Sequence, residues 1–182
     1  MRITYELEAL KKFISKFKAE LKDGTGILGE ALKDWAFVYK LFTLERYNIF
    51  AEGGGDWPPL APSTVRKKEK KGPDPRILIE TGTLFDTLDP ALSFDPDSSS
   101  EITIMNGIVG VGFNEDMHAP SIEKGHPLTI AELGGFHQRG TVNMPQREIL
   151  VSPDKDATEE MVDIMQVAIV DLLERTKNGP VQ

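Results

Sequence analysis

Helical periodicity at both ends of this chain, with short strand-like segments between, predicts an α+β fold. Three observations carry the prediction. Ile3, Leu7, Leu10, Ile14, Phe17 and Leu21 recur at alternating spacings of four and three, the seam of a helix packed lengthwise on a partner. Asn106-Gly107 separates two segments of strand character and marks a β-hairpin, because both positions tolerate positive φ. After Pro153-Asp154, the residues Met161, Ile164, Ala168 and Leu172 fall on one face of a closing helix.

Taken in order, the first helix carries Lys11, Lys12, Lys16, Lys18 and Lys22 off its seam, as a solvated face. Asp23-Gly24-Thr25-Gly26 stops it. A second helical pattern follows through Ile27, Ala31, Trp35, Val38, Phe42 and Ile49, and the short turn suggests an antiparallel hairpin. From about 51 to 76 the pattern breaks. Gly53-Gly54-Gly55, Pro58-Pro59, Pro62 and Gly72-Pro73 do not belong inside a helix or a central strand, so an extended loop or arm is expected. Thr81 has the character of an N-cap for a short helix around Leu84–Leu88. Ala91–Asp95, Glu101–Met105 and Ile108–Phe113 read as strands, residues 114 to 142 as irregular, and Arg147–Ser152 as a further strand.

With 182 residues, the chain is expected to form a single domain, 1–182. It is 40% hydrophobic and 27% charged, and no run approaches the ~18 apolar residues of a membrane span. The N-terminal residues lack the apolar centre of a signal peptide. The absence of cysteine removes disulfides, thiol catalysis and Cys-type zinc sites, and fits folding in a reducing cytoplasm. The net charge of −8 is uneven. Val65–Arg76 holds six basic residues against Glu69 and Asp74, a local +4 that leaves −12 for the remainder. So acidic a body is a poor general nucleic-acid binder, although one basic segment could touch DNA or an acidic partner.

Catalytic chemistry finds little footing. His118, His126 and His137 share one region, but spacings of eight and eleven match no tight ligand pair, even with Glu115, Asp116, Glu123 and Glu132 nearby. There is no Gly-x-Ser-x-Gly elbow, Ser121 near His118 is a chance-level pairing, and no phosphate loop occurs. The reading is therefore no catalytic residue, no metal and no cofactor.

Two segments do carry a signal. The first contains Trp57-Pro58-Pro59-Leu60, Ser63-Thr64, a basic stretch, and Ile77-Leu78-Ile79-Glu80-Thr81-Gly82-Thr83-Leu84. The second is Phe136-His137-Gln138-Arg139-Gly140-Thr141, followed by Met144-Pro145-Gln146-Arg147-Glu148-Ile149-Leu150. In this order they resemble the signature segments of the phage virion morphogenesis and tail-completion proteins. The family often has Tyr-Ala shortly before its His-Gln; here Ile130–Phe136 stands in that place.

The resemblance implies a tail-terminator-like fold, a small, mostly antiparallel sheet backed by helices, with the N-terminal helical hairpin and the C-terminal helix. It implies a structural role at the head–tail junction of a virion assembled in the host cytoplasm. The protein would form a homo-oligomeric ring, with a hexamer favoured, between connector or neck proteins and the tail terminator or tail tube, around genomic DNA. Partner contacts are then expected from Trp57, Pro58, Leu60, Arg66, Lys67, Lys68, Lys70, Lys71, His137, Gln138, Arg139 and Arg147. Trp57 beside two prolines is a large apolar anchor on a stiff stretch. Arg147 suits an intrachain or an intersubunit ion pair, and His137 and Gln138 suit either loop closure or partner contact. Two rival readings are a DNA-contacting head-completion or packaging accessory factor, from the basic segment, and a metal-dependent hydrolase, from the histidines.

Overall fold

A glycine turn sets the first corner of the chain. The computed structural model describes the backbone of residues 2–71, 75–79, 82–89, 100–105, 108–113 and 128–178, and the side chains of 8–70, 75–79, 82–89, 110–113 and 128–177. Helix α1 (Arg2–Asp23) ends where Gly24 takes φ 62°, the left-handed closure that costs glycine least. Helix α2 (Gly26–Ala51) follows at once, and Glu20 of α1 caps it by accepting from the Leu28 N–H (3.1 Å). Helix α6 (Lys155–Asn178) starts on a similar device, with Asp154 Oδ1 accepting from Ala157 N–H (2.9 Å).

Between α2 and α6 lie α3 (Pro62–Lys71), α4 (Thr83–Asp86), the paired strands β1 (Ser100–Met105) and β2 (Ile108–Phe113), and α5 (Ile130–Arg139). Strands two residues apart can pair only antiparallel. The chain divides into two compact units. The first comprises Met1–Val38, Ile102–Gly110 and Asp154–Gln182; the second comprises Tyr39–Glu101 and Val111–Pro153.

In the first unit, Leu28, Ala31, Ala168 and Leu172 form the buried centre, with Phe13, Phe17, Leu21 and Ile164 packed against it. The N-terminal helices thus pack against the C-terminal one, and α1 lies along α6 rather than folding back along α2. That corrects the expected helical hairpin. The seam of α1 is corrected in part: Phe17 and Leu21 pack inward as expected, but Leu10 and Ile14 are exposed and Phe13 turns inward instead. No helix among the described residues is long and apolar enough to cross a membrane.

In the second unit, Tyr47 and Ala51 of α2 meet Trp57, Ile77, Ile79, Leu84, Leu88, Ile130 and Ile149. Helix α4 packs on α5.

The α+β expectation is corrected. The fold is mostly helical, and the only named strands among the described residues are the two of the hairpin, so no sheet backs the helices as anticipated. Two segments expected to be irregular are helical instead. Pro62 opens α3 at its first position, where the missing N–H would have no partner anyway. Thr129 and Glu132 form a reciprocal capping box that starts α5 (3.1 and 2.9 Å). Arg147–Ser152, expected as a strand, is irregular, with a bend at Leu150, and pairs with no strand among the described residues. Ala91–Asp95, Asn106-Gly107, Thr81, His118 and His126 lie outside the described residues.

Candidate functional site

A segment with no neighbouring strand must satisfy its backbone otherwise, and residues 147–151 do so largely with side chains. Arg147 N–H donates to the His137 carbonyl at the end of α5 (2.8 Å). Gln138 is the central clamp. Its Oε1 accepts from Ile149 N–H (2.8 Å) and Leu150 N–H (2.9 Å), while its Nε2 donates to the Leu150 carbonyl (2.7 Å). From α2, Arg46 Nη1 donates to the Glu148 carbonyl (2.7 Å), and the Tyr39 hydroxyl to the Val151 carbonyl (2.9 Å). One amide side chain and two from α2 therefore replace a strand ladder.

The other signature segment enters the same place. Trp57 is buried, donates from Nε1 to the Glu148 carbonyl (3.1 Å), and sits edge-on to Tyr47 and Phe50, with centroids at 5.0 and 5.6 Å. Such edge contacts add to the burial of the ring. Phe50 in turn lies beneath the Arg46 guanidinium, 4.2 Å from its centroid. Arg147 is only 5% exposed, and its fork donates to the Pro58 carbonyl from Nη2 (2.9 Å) and Nε (3.3 Å). Burial lowers its pKa from the usual arginine value. No carboxylate pairs with it among the described residues, so the intrachain ion pair expected for Arg147 is replaced there by bonds to backbone carbonyls.

The turn between α5 and this segment depends on Gly140. Its φ is 71°, and a Cβ there would stand 2.8 Å from the Gln146 backbone nitrogen. The bridge between Thr141 and Met144 then returns the chain towards Arg147. His137 is half-buried, its Nδ1 has no hydrogen-bond partner among the described residues, and burial, followed by the Arg147 charge, pushes its pKa down to about 4.

The residues singled out from sequence thus separate into two groups. Trp57, Pro58, His137, Gln138 and Arg147 come together in one internal junction, and Leu60 packs on its apolar cluster. The docking anchor expected of Trp57 is therefore an anchor for its own chain. Arg66, Lys67 and Lys70 stand exposed on α3, with Lys71 closing the helix, and Arg139 is exposed at the end of α5. Lys68 is turned inward, where Nζ donates to the carbonyls of Arg76 (2.7 Å) and Ile79 (2.5 Å).

Sequence reasoning missed Tyr39, Arg46 and Tyr47, whose polar ends reach Val151, Glu148 and Leu78. It also missed Lys40, 1% exposed, whose pKa burial lowers to about 8 against the opposing charge of Asp89. The capping box of α5 was a readable signal; the reach of these α2 side chains was not. Comparison with known protein families, with curated proteins and with solved structures finds no match for this chain.

Proposed function

We propose that the protein is a structural component of a tailed-phage head–tail junction, a tail-completion or neck protein acting by assembly rather than catalysis. The observation that carries the reading is the meeting of the two signature segments. Residues 57–60 and 136–150 resemble one family, and in the fold Arg147 grips Pro58 while Trp57 grips Glu148. A motif pair whose members hold each other has a physical reason to occur together in one chain.

On this reading the junction is the frame, and surfaces elsewhere make the ring, with six copies as the proposed number. Disrupting the gene in its phage should leave filled heads and finished tails that do not join. Particles of normal form and infectivity would sink the proposal. A second reading, a DNA-contacting accessory factor, draws on the exposed cations of α3. Salt-sensitive retention of duplex DNA by the purified chain would favour it.

A further inference from the structure

Helix α6 carries more apolar surface than the core of the first unit uses. Ala157, Met161, Ala168 and Leu172 are buried, yet Val167 is 70% exposed. With Ile27, Ala31, Ile164 and Ala168, Val167 floors an open groove of about 630 Å³ along α6 and the first half of α2. Asp34, Glu160 and Asp163 stand on the rim. All three are exposed, and none has a cationic partner among the described residues. An apolar floor with unpaired carboxylates on its margin selects a partner whose long side chains are apolar along the stem and cationic at the tip.

Helix α3 has that character. Lys68 ties it to its own unit, and Arg66, Lys67 and Lys70 project from the opposite side, within about a 100° arc at helical spacing. All three are exposed and, among the described residues, unpaired. Among the described residues, the most basic helix thus presents three unpaired cations, and the acidic groove three unpaired anions.

We infer that the groove along α2 and α6 receives α3 of a second copy of this chain. The inference rests on the assembly reading for its partner and adds the two surfaces that meet. Donor and acceptor are different patches, so the contact is head-to-tail, and each copy keeps one of each free for the next. The stems of Arg66 and Lys70 cover the floor while their tips reach the rim. Attraction between exposed groups weakens with salt, so association should be tighter at low ionic strength.

The test is the mass distribution of the full-length protein, by sedimentation equilibrium, at about 0.05 M and about 0.5 M salt. One variant carries Arg66→Glu, Lys67→Glu and Lys70→Glu; the other carries Asp34→Lys, Glu160→Lys and Asp163→Lys. Each alone should weaken self-association by about 100-fold or more, and an equal mixture of the two should restore it. Neutral replacement of the three cations by Gln should weaken it less, which separates loss of attraction from loss of fold. Association by wild type that neither reversal alters would overturn the contact while leaving the assembly reading standing. A wild type that is monomeric at both salt concentrations would also overturn the contact, and virion joining would then judge the function separately. If the cation reversal abolished duplex DNA binding without changing the mass, α3 would belong to nucleic acid and the inference would be wrong. Failure of the mixture to associate counts against it as well.

Discussion

The two units bury comparable apolar side chains but hold them by different means. Around Leu28 and Leu172, contact is between helices, and the polar links are short-range: Lys33 with Glu30 (2.7 Å) and Arg175 with Asp171 (2.9 Å) at the surface, and the buried Glu20 carboxylate with the Leu28 N–H (3.1 Å) eight residues on. Around Trp57 the partly buried polar links reach further along the chain, from 11 positions for Gln138 with Ile149 to 89 for Arg147 with Pro58 and 112 for Tyr39 with Val151. A surface pair that breaks returns its groups to water. A buried link that breaks leaves a carbonyl or an N–H with no partner, and that penalty is the larger one. The second unit should therefore be far more sensitive to single polar substitutions than the first.

The largest test of that difference is Trp57→Ala, expected to cost about 3–5 kcal/mol through lost burial and the open space left beside Tyr47 and Phe50. It leaves Trp35, in the first unit, as the only tryptophan. Urea unfolding followed by Trp35 fluorescence should shift less than amide exchange at residues 147–151. Equal shifts would show that the units unfold as one, and the contrast drawn here would fail.

Gln138→Leu comes next, at about 2–4 kcal/mol, because it strands the N–H groups of Ile149 and Leu150 and the Leu150 carbonyl. Gln138→Glu keeps the acceptor and loses the donor, so it should recover part of that loss. A Leu variant as stable as wild type by chemical denaturation would mean that the clamp is incidental.

The pH response of His137 sharpens the comparison within the second unit. An unfolded histidine takes up a proton near its ordinary value of 6.5, whereas the folded one does so only near about 4. In that window the unfolded state binds more protons, so stability is full above about 6.5 and falls as the pH drops to about 4. Discounted for partial exposure, the loss is about 2 kcal/mol. His137→Phe should flatten this part of the profile, measured as unfolding midpoints at about pH 7.5 and about pH 4.5. A parallel fall in the variant would assign the effect to other groups.

The same contrast explains what could be read from the sequence. Helices α1, α2 and α6 were legible because an amphipathic period is local. Even there the inward face was misjudged in places: along the second half of α2 the buried positions are Lys40, Thr43, Tyr47 and Ala51, while Ile49 is 48% exposed. Polar side chains on the inward face hid it from an apolar pattern. The strand expected at Arg147–Ser152 did not form, because composition cannot say whether a neighbouring strand or the Gln138 side chain will satisfy its backbone. Thr129-x-x-Glu132 did announce α5, and the histidines around it drew attention to chemistry instead. That Trp57 would serve its own chain was not visible, and for Arg147 the sequence left an intrachain and an intersubunit role open, since an anchor for a partner and one for the core share a composition.

The smallest expected effect is the most direct control. Arg175→Ala removes a pair with Asp171 that has good geometry, Nη2 to Oδ2 at 2.9 Å, with the acid four residues ahead of the base on α6. Both side chains are more than a third exposed, so water replaces what the pair loses. The cost should stay below about 0.5 kcal/mol and shrink further with added salt. The Arg147 guanidinium makes bonds of similar length, to uncharged carbonyls, and distance alone would rank the two alike. Arg147→Met should nevertheless cost about 2–3 kcal/mol, because the Pro58 carbonyl is left buried without its donor. If thermal melts of the two variants moved by the same amount, burial would not be what separates the two units.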